Sequence, residues 1–212
     1  MTIGPAVDLR PAPLPARIVL EGRDVRVVAL DPAAHGDALF ESTGPFPLRA
    51  AFDAAVRRWS DSKDPFFYAI VDRASGLALG RAALMRIEPT HRVIEVGSIL
   101  YSPRLQRTRG ATEAMYLLAR YVFEELGYRR YEWKCNALNE ASRAAAIRLG
   151  FTFEGVFRQH MIVKDRNRDT AWYSIIDAEW PARKARLERW LSLENFDAEG
   201  RQRTPLSAIA LA

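Results

Sequence analysis

Leu105-Gln106-Arg107-Thr108-Arg109-Gly110-Ala111-Thr112-Glu113-Ala114 is the stretch that decides how this chain is read. A strand-like segment, Val93 to Tyr101, leads into it, and an amphipathic helix from Ala111 to about Leu126 leads out. A short basic turn with small residues between a strand and a helix presents backbone N–H groups at the positive helix end. Such an end accepts a phosphate or pyrophosphate. Arg107 and Arg109 add full positive charges beside it, so the run points to a phosphorylated cofactor. Two familiar phosphate-binding loops fail on spacing: Gly-x-Gly-x-x-Gly is absent, and no Gly-Lys-Ser/Thr closes the run. A plain strand-to-helix connection is the competing reading.

The pattern continues on the C-terminal side. Met115, Leu118, Val122 and Leu126 recur at three- and four-residue spacing and form one apolar helix face. Gly127 follows as a helix-stopping residue. Tyr131, Trp133 and Cys135 then alternate with Arg130, Glu132 and Lys134, the period of a strand. Asn139 opens a second helix that ends at Leu149-Gly150, and Phe151 to Gly155 reads as a further strand.

The first run resembles the acyl-CoA pyrophosphate loop of the GNAT acetyltransferases, Gln/Arg-x-x-Gly-x-Gly/Ala. Gln106 fills its first position and Ala111 its last. Thr112-Glu113-Ala114 is similar to the extension of the RimJ/RimL type, the ribosomal-protein N-terminal acetyltransferases. One departure is plain: Arg109 stands in the first glycine's place, with Gly110 beside it. Its guanidinium either points outward or itself contacts the phosphates. The later run, Asn139-x-x-Ser142 followed by Leu149-Gly150-Phe151-x-x-Glu154-Gly155, resembles the second GNAT motif, in the expected order and spacing. The likeness covers about Arg17 to Trp180.

The resemblance implies an α/β GNAT fold, a mixed and mostly antiparallel sheet flanked by helices. It implies an acetyl-CoA-dependent N-acetyltransferase, with acetyl-CoA as acyl-donor cosubstrate and no metal. The pyrophosphate would be held along Gln106, Arg107, Thr108, Arg109, Gly110, Ala111 and Thr112. Backbone N–H groups of Ile99, Leu100 and Tyr101 would polarise the thioester carbonyl, and Asn139 and Ser142 would line the pantetheine arm. Many relatives carry a tyrosine acid seven residues after the asparagine; here that position is Ala146. Ser142 is the expected replacement, because RimL-type enzymes have a serine there and a cysteine where Cys135 stands. Glu95, on the strand leading to the loop, is the expected general base, directly or through water. His160, beside Arg158 and Gln159, would wall the acceptor site. Each role has a structural competitor: an outward strand carboxylate for Glu95, a first-turn backbone hydrogen bond for Ser142, an N-cap for Asn139, a small buried hydrophobe for Cys135, and ordinary surface or core histidines for His160 and His91.

The acceptor implied is a primary amine, attacked without a covalent enzyme intermediate. At pH 7 an α-amine with pKa near 8 costs about 1.4 kcal/mol to deprotonate, and a lysine ε-amine near 10.4 costs about 4.6 kcal/mol. A protein N-terminus therefore asks less of the base. A small-molecule amine (an antibiotic, amino acid or polyamine) and a CoA-binding regulatory module without turnover remain alternatives.

Composition bounds these readings. The 212 residues suit one domain, and 49% hydrophobic with 27% charged residues is ordinary for a globular chain. The net charge of +5 fits a soluble basic surface with a cation-rich pocket; a polyanionic partner is the competing explanation. No nucleic-acid motif and no membrane-length apolar run occurs. A single cysteine rules out an internal disulfide framework and suits a reducing compartment. The absence of a leader-like N-terminus adds to an expected cytoplasmic location. Three histidines without metal-ligand spacing predict no metal site. A homodimer is left open.

Met1 to Ala16, rich in proline, is expected to be a flexible arm; residues 17–180 form the catalytic domain and 181–212 a C-terminal helix and tail. Strands are expected at 18–20, 25–30, 66–71, 77–87 and 93–101, with helices starting at Asp31-Pro32 and spanning Arg49 to Ser60. Gly44 to Pro47 reads as a loop. A hairpin, Gly155 to Val163 and Thr170 to Ala178, turns at Asp165 to Arg168, and Pro181 to about Leu193 is helical.

Overall fold

The structure is a computed structural model that describes residues 4–43 and 48–211. The loop expected at Gly44 to Pro47 lies outside the described residues. Strands β1 (Val19–Glu21) and β2 (Val25–Ala29) open the fold, followed by helices α1 (Pro32–Thr43) and α2 (Arg49–Asp61). Strands β3 (Phe66–Asp72), β4 (Ala78–Glu88) and β5 (Val93–Tyr101) come next, then α3 (Arg109–Arg120), β6 (Arg130–Asn136) and α4 (Glu140–Leu149). The hairpin β7 (Thr152–Val163) and β8 (Arg166–Ile176) and helix α5 (Trp180–Leu191) complete it. One sheet runs in the order β1-β2-β3-β4-β5-β6-β8-β7, antiparallel at every junction except β5–β6. This is the mixed α/β architecture expected from the sequence.

Each face of the sheet is covered by a different set of helices. Phe67, Ala69 and Val71 of β3 and Ala83 of β4 pack under α1 and α2, with Leu39, Phe52 and Val56. The opposite face carries Tyr68, Ile70, Ile94, Tyr131 and Trp133 against α3, α4 and α5. The sequence predicted one apolar stripe on α3, and Met115 and Leu118 are buried as expected. The burial goes further, to every residue from Gly110 to Ala119, because the sheet, α5 and the N-terminal strands enclose the helix. Past Arg120 the helix does not stay α-helical to Leu126. Residues Tyr121–Glu125 form a π-helical turn, closed by Leu126 N–H to Tyr121 C=O at 3.0 Å. The wider turn lets Phe123 stack on Trp180 at 5.0 Å and brings the Tyr121 hydroxyl to the Ala16 N–H at 3.0 Å.

Glu113 fixes where α3 begins. Its buried carboxylate accepts three backbone N–H groups of the β1–β2 turn: Arg23 at 2.7 Å, Asp24 at 2.7 Å and Val25 at 3.0 Å. Those donors would otherwise be unpaired against the helix. Gly22 is required in that turn, since a Cβ there would stand 2.5 Å from the Glu113 carboxyl carbon. Gly110 is required for the converse reason: a Cβ would meet Val25 Cγ1 at 2.9 Å.

Both ends of the chain are tied down within the described residues. Asp8 pairs with Arg92 at 2.8 Å, and Ala12 N–H donates to Pro89 C=O at 3.0 Å. The segment read as an arm thus touches the β4–β5 turn through Asp8 and Ala12. At the other end Leu206 is buried, and its C=O accepts two bonds from the Arg186 guanidinium, at 3.1 and 2.8 Å. The segment read as a tail thus packs on α5. The two strand pieces expected at 151–155 and 155–163 are one strand, β7, with pairing irregularities at Phe153/Gly155 and Phe157/Met161.

Glu113→Ala leaves three backbone donors of the turn without partners and is expected to lower stability by about 2–4 kcal/mol, read from urea unfolding. A change within a few tenths of a kcal/mol would show that water serves these groups equally well.

Candidate active site

The sheet opens where β5 and β6 meet. Their parallel ladder holds only Val93↔Arg130, Ile94↔Tyr131 and Glu95↔Glu132. Beyond that point β5 continues to Tyr101, paired with β4 alone, and β6 continues to Asn136, paired with β8 alone. Two facing strand edges are therefore left without each other's hydrogen bonds, which is where an extended, amide-bearing molecule can pair. The expected carbonyl-polarising residues Ile99, Leu100 and Tyr101 lie along that free edge. The register of β5 against β4 breaks between Arg81 and Ala83, and Ser98 sits in the bulge with φ of 49°.

The opening leads to the start of α3. Thr108 is its N-cap, and its Oγ1 accepts the Ala111 N–H at 3.1 Å. The N–H groups of Arg107, Arg109 and Gly110 find no acceptor among the described residues. Arg107 has φ of 61°, a left-handed conformation that turns the chain so that these groups converge. Gln106 secures the turn by donating from Nε2 to Tyr101 C=O at 2.9 Å, and the Tyr101 hydroxyl donates to Ala111 C=O at 3.3 Å. Thr112 is buried and accepts from Arg148 Nη2 at 2.9 Å. Arg109 is engaged elsewhere: it forms a bidentate pair with Asp24 at 2.5 and 2.6 Å and lies 4.9 Å over the Phe196 ring. Of the two orientations open to it in the sequence, it takes the one away from the phosphate position. Its backbone N–H still belongs to the loop.

Glu95 stands at the closed end of the opening. It is 4% exposed, with Oε2 3.1 Å from Arg86 Nε and 3.2 Å from Lys134 Nζ. Lys134 also pairs with Glu132 at 2.7 Å and lies 3.8 Å over the Trp172 ring. Burial pushes the Glu95 pKa above the ordinary glutamate value, against the pull of Lys134 and Arg86, and the Glu132 charge pushes the same way as burial. The carboxylate thus belongs to a dense charged cluster, and is not an outward-facing strand residue.

Across the opening, Asn139 is the N-cap of α4, and its Oδ1 accepts the Ser142 N–H at 3.0 Å. Ser142 Oγ accepts the Trp133 indole N–H at 3.0 Å. Cys135 is buried in the main core and unpaired. His160 sits in the β7–β8 hairpin, Nδ1 2.9 Å from Thr170 Oγ1, with Phe157 and Trp172 around it. Cross-strand register places Glu95, Glu132, Lys134, Trp172 and Thr170 on one face of the sheet, the α1–α2 face. The loop before α3, with Ser142 and Asn139, approaches the opening from the α3–α4 side. The sequence reading missed Lys134 and Trp172. Their alternation on a strand was visible, but their pairing with residues on other strands was not. His91 lies in the β4–β5 turn, apart from the opening. No group of three or more His, Cys, Asp or Glu residues that could hold a metal occurs among the described residues, and no described helix is long and apolar enough to cross a membrane.

Comparison with known proteins follows this geometry. The acetyltransferase (GNAT) domain family matches residues 24–152. Among solved structures, a GCN5-related N-acetyltransferase from Brucella melitensis is 48% identical, covers 93% of this chain and 96% of its own, and superposes with a TM-score of 0.91. A probable GNAT-family acetyltransferase from Chromobacterium violaceum is 39% identical, over 86% of this chain and 100% of its own, with a TM-score of 0.76. A candidate ribosomal N-acetyltransferase of Bacillus subtilis, YdaF, is 30% identical over 51% of this chain. The chain spans a little over half the length of the curated relatives it matches, 59% and 55%.

Arg107→Ala is expected to weaken acetyl-CoA binding about ten-fold and to flatten its salt dependence, as measured calorimetrically at several ionic strengths. Arg109→Ala should show mainly as lost stability, because its guanidinium serves Asp24. Equal affinity of Arg107→Ala and wild type at every salt concentration would put the phosphates elsewhere.

Proposed function

The chain belongs to the GNAT acetyltransferase family, and on that premise we propose that it transfers an acetyl group from acetyl-CoA to a primary amine, the α-amine of a protein N-terminus. The observation that carries this reading is the three-residue β5–β6 ladder, with a phosphate-accepting loop at its open end and a buried carboxylate at its closed end. A chain of amides laid between the free edges would pair with both strands. Its pyrophosphate would meet the N–H groups of Arg107, Arg109 and Gly110, and its thioester would supply an activated acyl group near Ile99 to Tyr101. The C=O of that group would be polarised by backbone donors of the β5 edge, fixed in advance by pairing with β4.

The amine must lose a proton as it attacks. Glu95 receives it, directly or through one water, from the α1–α2 face of the sheet. Lys134, Arg86 and Glu132 surround the carboxylate, so its charge state depends on all three. The departing thiolate needs a proton on the opposite side. Ser142 Oγ already accepts the Trp133 indole N–H, which leaves its own hydroxyl proton free to donate. Asn139 orients Ser142 by holding its backbone. His160, Phe157 and Trp172 form the acceptor wall. The low cost of neutralising an α-amine favours a protein N-terminus over a lysine side chain.

Titration with acetyl-CoA, beside desulfo-CoA and NADH, tests the donor site: both CoA species should bind with micromolar affinity and NADH should not. Thiol release is then measured with N-terminal peptides and with small amines. Binding without thiol release for any acceptor would make the chain a CoA-binding module, and release only with small amines would move the acceptor to that class.

Glu95→Gln should lower kcat about 10²- to 10⁴-fold. For wild type, a base must be ionised to work, so a raised pKa places the acid limb of kcat/KM above the ordinary value of 4.5, with activity rising as pH climbs through it. Glu95→Gln removes that limb; a limb unchanged in the variant would assign it to another group. Ser142→Ala should reduce turnover more than acetyl-CoA affinity, and unchanged turnover would remove Ser142 from the mechanism.

A further inference from the structure

The α1–α2 face of the opened sheet carries a buried cation, Lys134, and a partly buried one, Arg81, and they differ in their partners. Lys134 is neutralised, with Glu95 at 3.2 Å and Glu132 at 2.7 Å. Arg81, on β4, has no carboxylate facing it among the described residues. Its guanidinium carbon lies 4.2 Å from the centre of the Trp59 ring of α2 and 5.6 Å from that of Phe67. Nη1 donates to Ser98 C=O at 2.7 Å, and Nε has no hydrogen-bond partner. One of five donors is in use, so the remaining fork is idle. Burial alone lowers its pKa to about 10, which leaves it fully charged at neutral pH.

A partly buried arginine held against aromatic rings with no carboxylate partner is left with desolvated charge that an anion would compensate. Its location says what that anion belongs to. Arg81 is in register with Leu100 and holds the bulge at Ser98. It therefore stands one strand, about 4.8 Å, from the free β5 edge where the acyl group would lie. Arg81, Ala83 and Met85 share a face with Gly97 and Glu95, the side from which the amine enters. An acceptor whose amine reaches the β5 edge brings its neighbouring substituent to the guanidinium. Resting on the acetyltransferase reading above, we propose that Arg81 is the acceptor-recognising residue and that the preferred acceptor is an amine with a carboxylate a few bonds away. That group is the side chain of an acidic first residue in a peptide or the α-carboxylate of a free amino acid. The planar fork suits a carboxylate bidentately, which a lysine would not.

The test compares acceptors that differ only in that charge. Two otherwise identical peptide amides beginning Asp-Ala and Asn-Ala are acetylated, serine is compared with serinamide, and spermidine serves as the anion-free cation. Wild type should favour the carboxylate member of at least one pair by about ten-fold or more in kcat/KM, chiefly through KM, and the pair concerned identifies the source. Arg81→Gln should bring that ratio close to one, and Arg81→Lys should restore part of it. A purely structural role in holding Ser98 would slow both members equally and leave the ratio unmoved, which overturns the proposal, as does a wild-type preference for the neutral acceptors or spermidine. Calorimetry with the N-acetylated Asp-Ala and Asn-Ala peptides and with N-acetylserine and N-acetylserinamide gives a reading independent of turnover. Arg81-dependent preference for an anionic ligand without any acetyl-CoA binding would sink the acetyltransferase reading, and with it the acceptor role, while leaving Arg81 as a carboxylate-binding residue. Loss of both preferences with intact acetyl-CoA turnover would do the reverse.

Discussion

A buried carboxylate with only backbone partners governs the layout of this fold. Glu113 collects three N–H groups of the β1–β2 turn, and so joins the first hairpin to the first turns of α3. Such a carboxylate replaces lost hydration with short, charge-assisted bonds. The consequence is positional. The hairpin lies against Gly110, the loop before α3 is held between Tyr101 and Thr108, and the open N–H groups of that loop are fixed relative to the end of β5. The parted strands and the phosphate-accepting turn are thus two ends of one rigid arrangement.

The proposed chemistry uses a division of the sheet into two sides. Helices α3 and α4 approach the opening from one face, bringing backbone donors and Ser142. The other face presents Glu95, Lys134, Trp172 and Arg81. On the proposed reading, a donor held from one side and an acceptor entering from the other would meet through the gap between β5 and β6, an arrangement suited to direct transfer. The cluster around Glu95 carries nearly balanced charge, so the carboxylate can be deeply buried and still titrate. A lone carboxylate there would stay protonated.

How much of this was legible from the amino-acid order depended on range. Strand Val93–Tyr101, the Asn139 cap and the Gly150 stop are local features, and their residues announce them. The course of Arg109 was not legible, because its partner Asp24 is 85 residues away. The extent of the β5–β6 gap depends on where pairing with β4 and β8 wins over pairing with each other, a competition among non-neighbouring segments. Lys134 read as one polar position in an alternating strand, and its meaning came only with Glu95 and Trp172 beside it. The helix expected to run on to Leu126 changes pitch at Tyr121, where packing against Trp180 and Ala16 overrides helix propensity.

The Arg109–Asp24 pair also couples two distant positions of the chain. A glycine at position 109 would leave Asp24 as an unpaired negative charge beside the proposed phosphate site, where repulsion would work against an anion. A neutral residue at position 24 would leave the arginine free to swing into the loop. The two positions therefore form one electrostatic unit, in which each side chain neutralises the other. A designer wishing to restore the common loop must change both codons together.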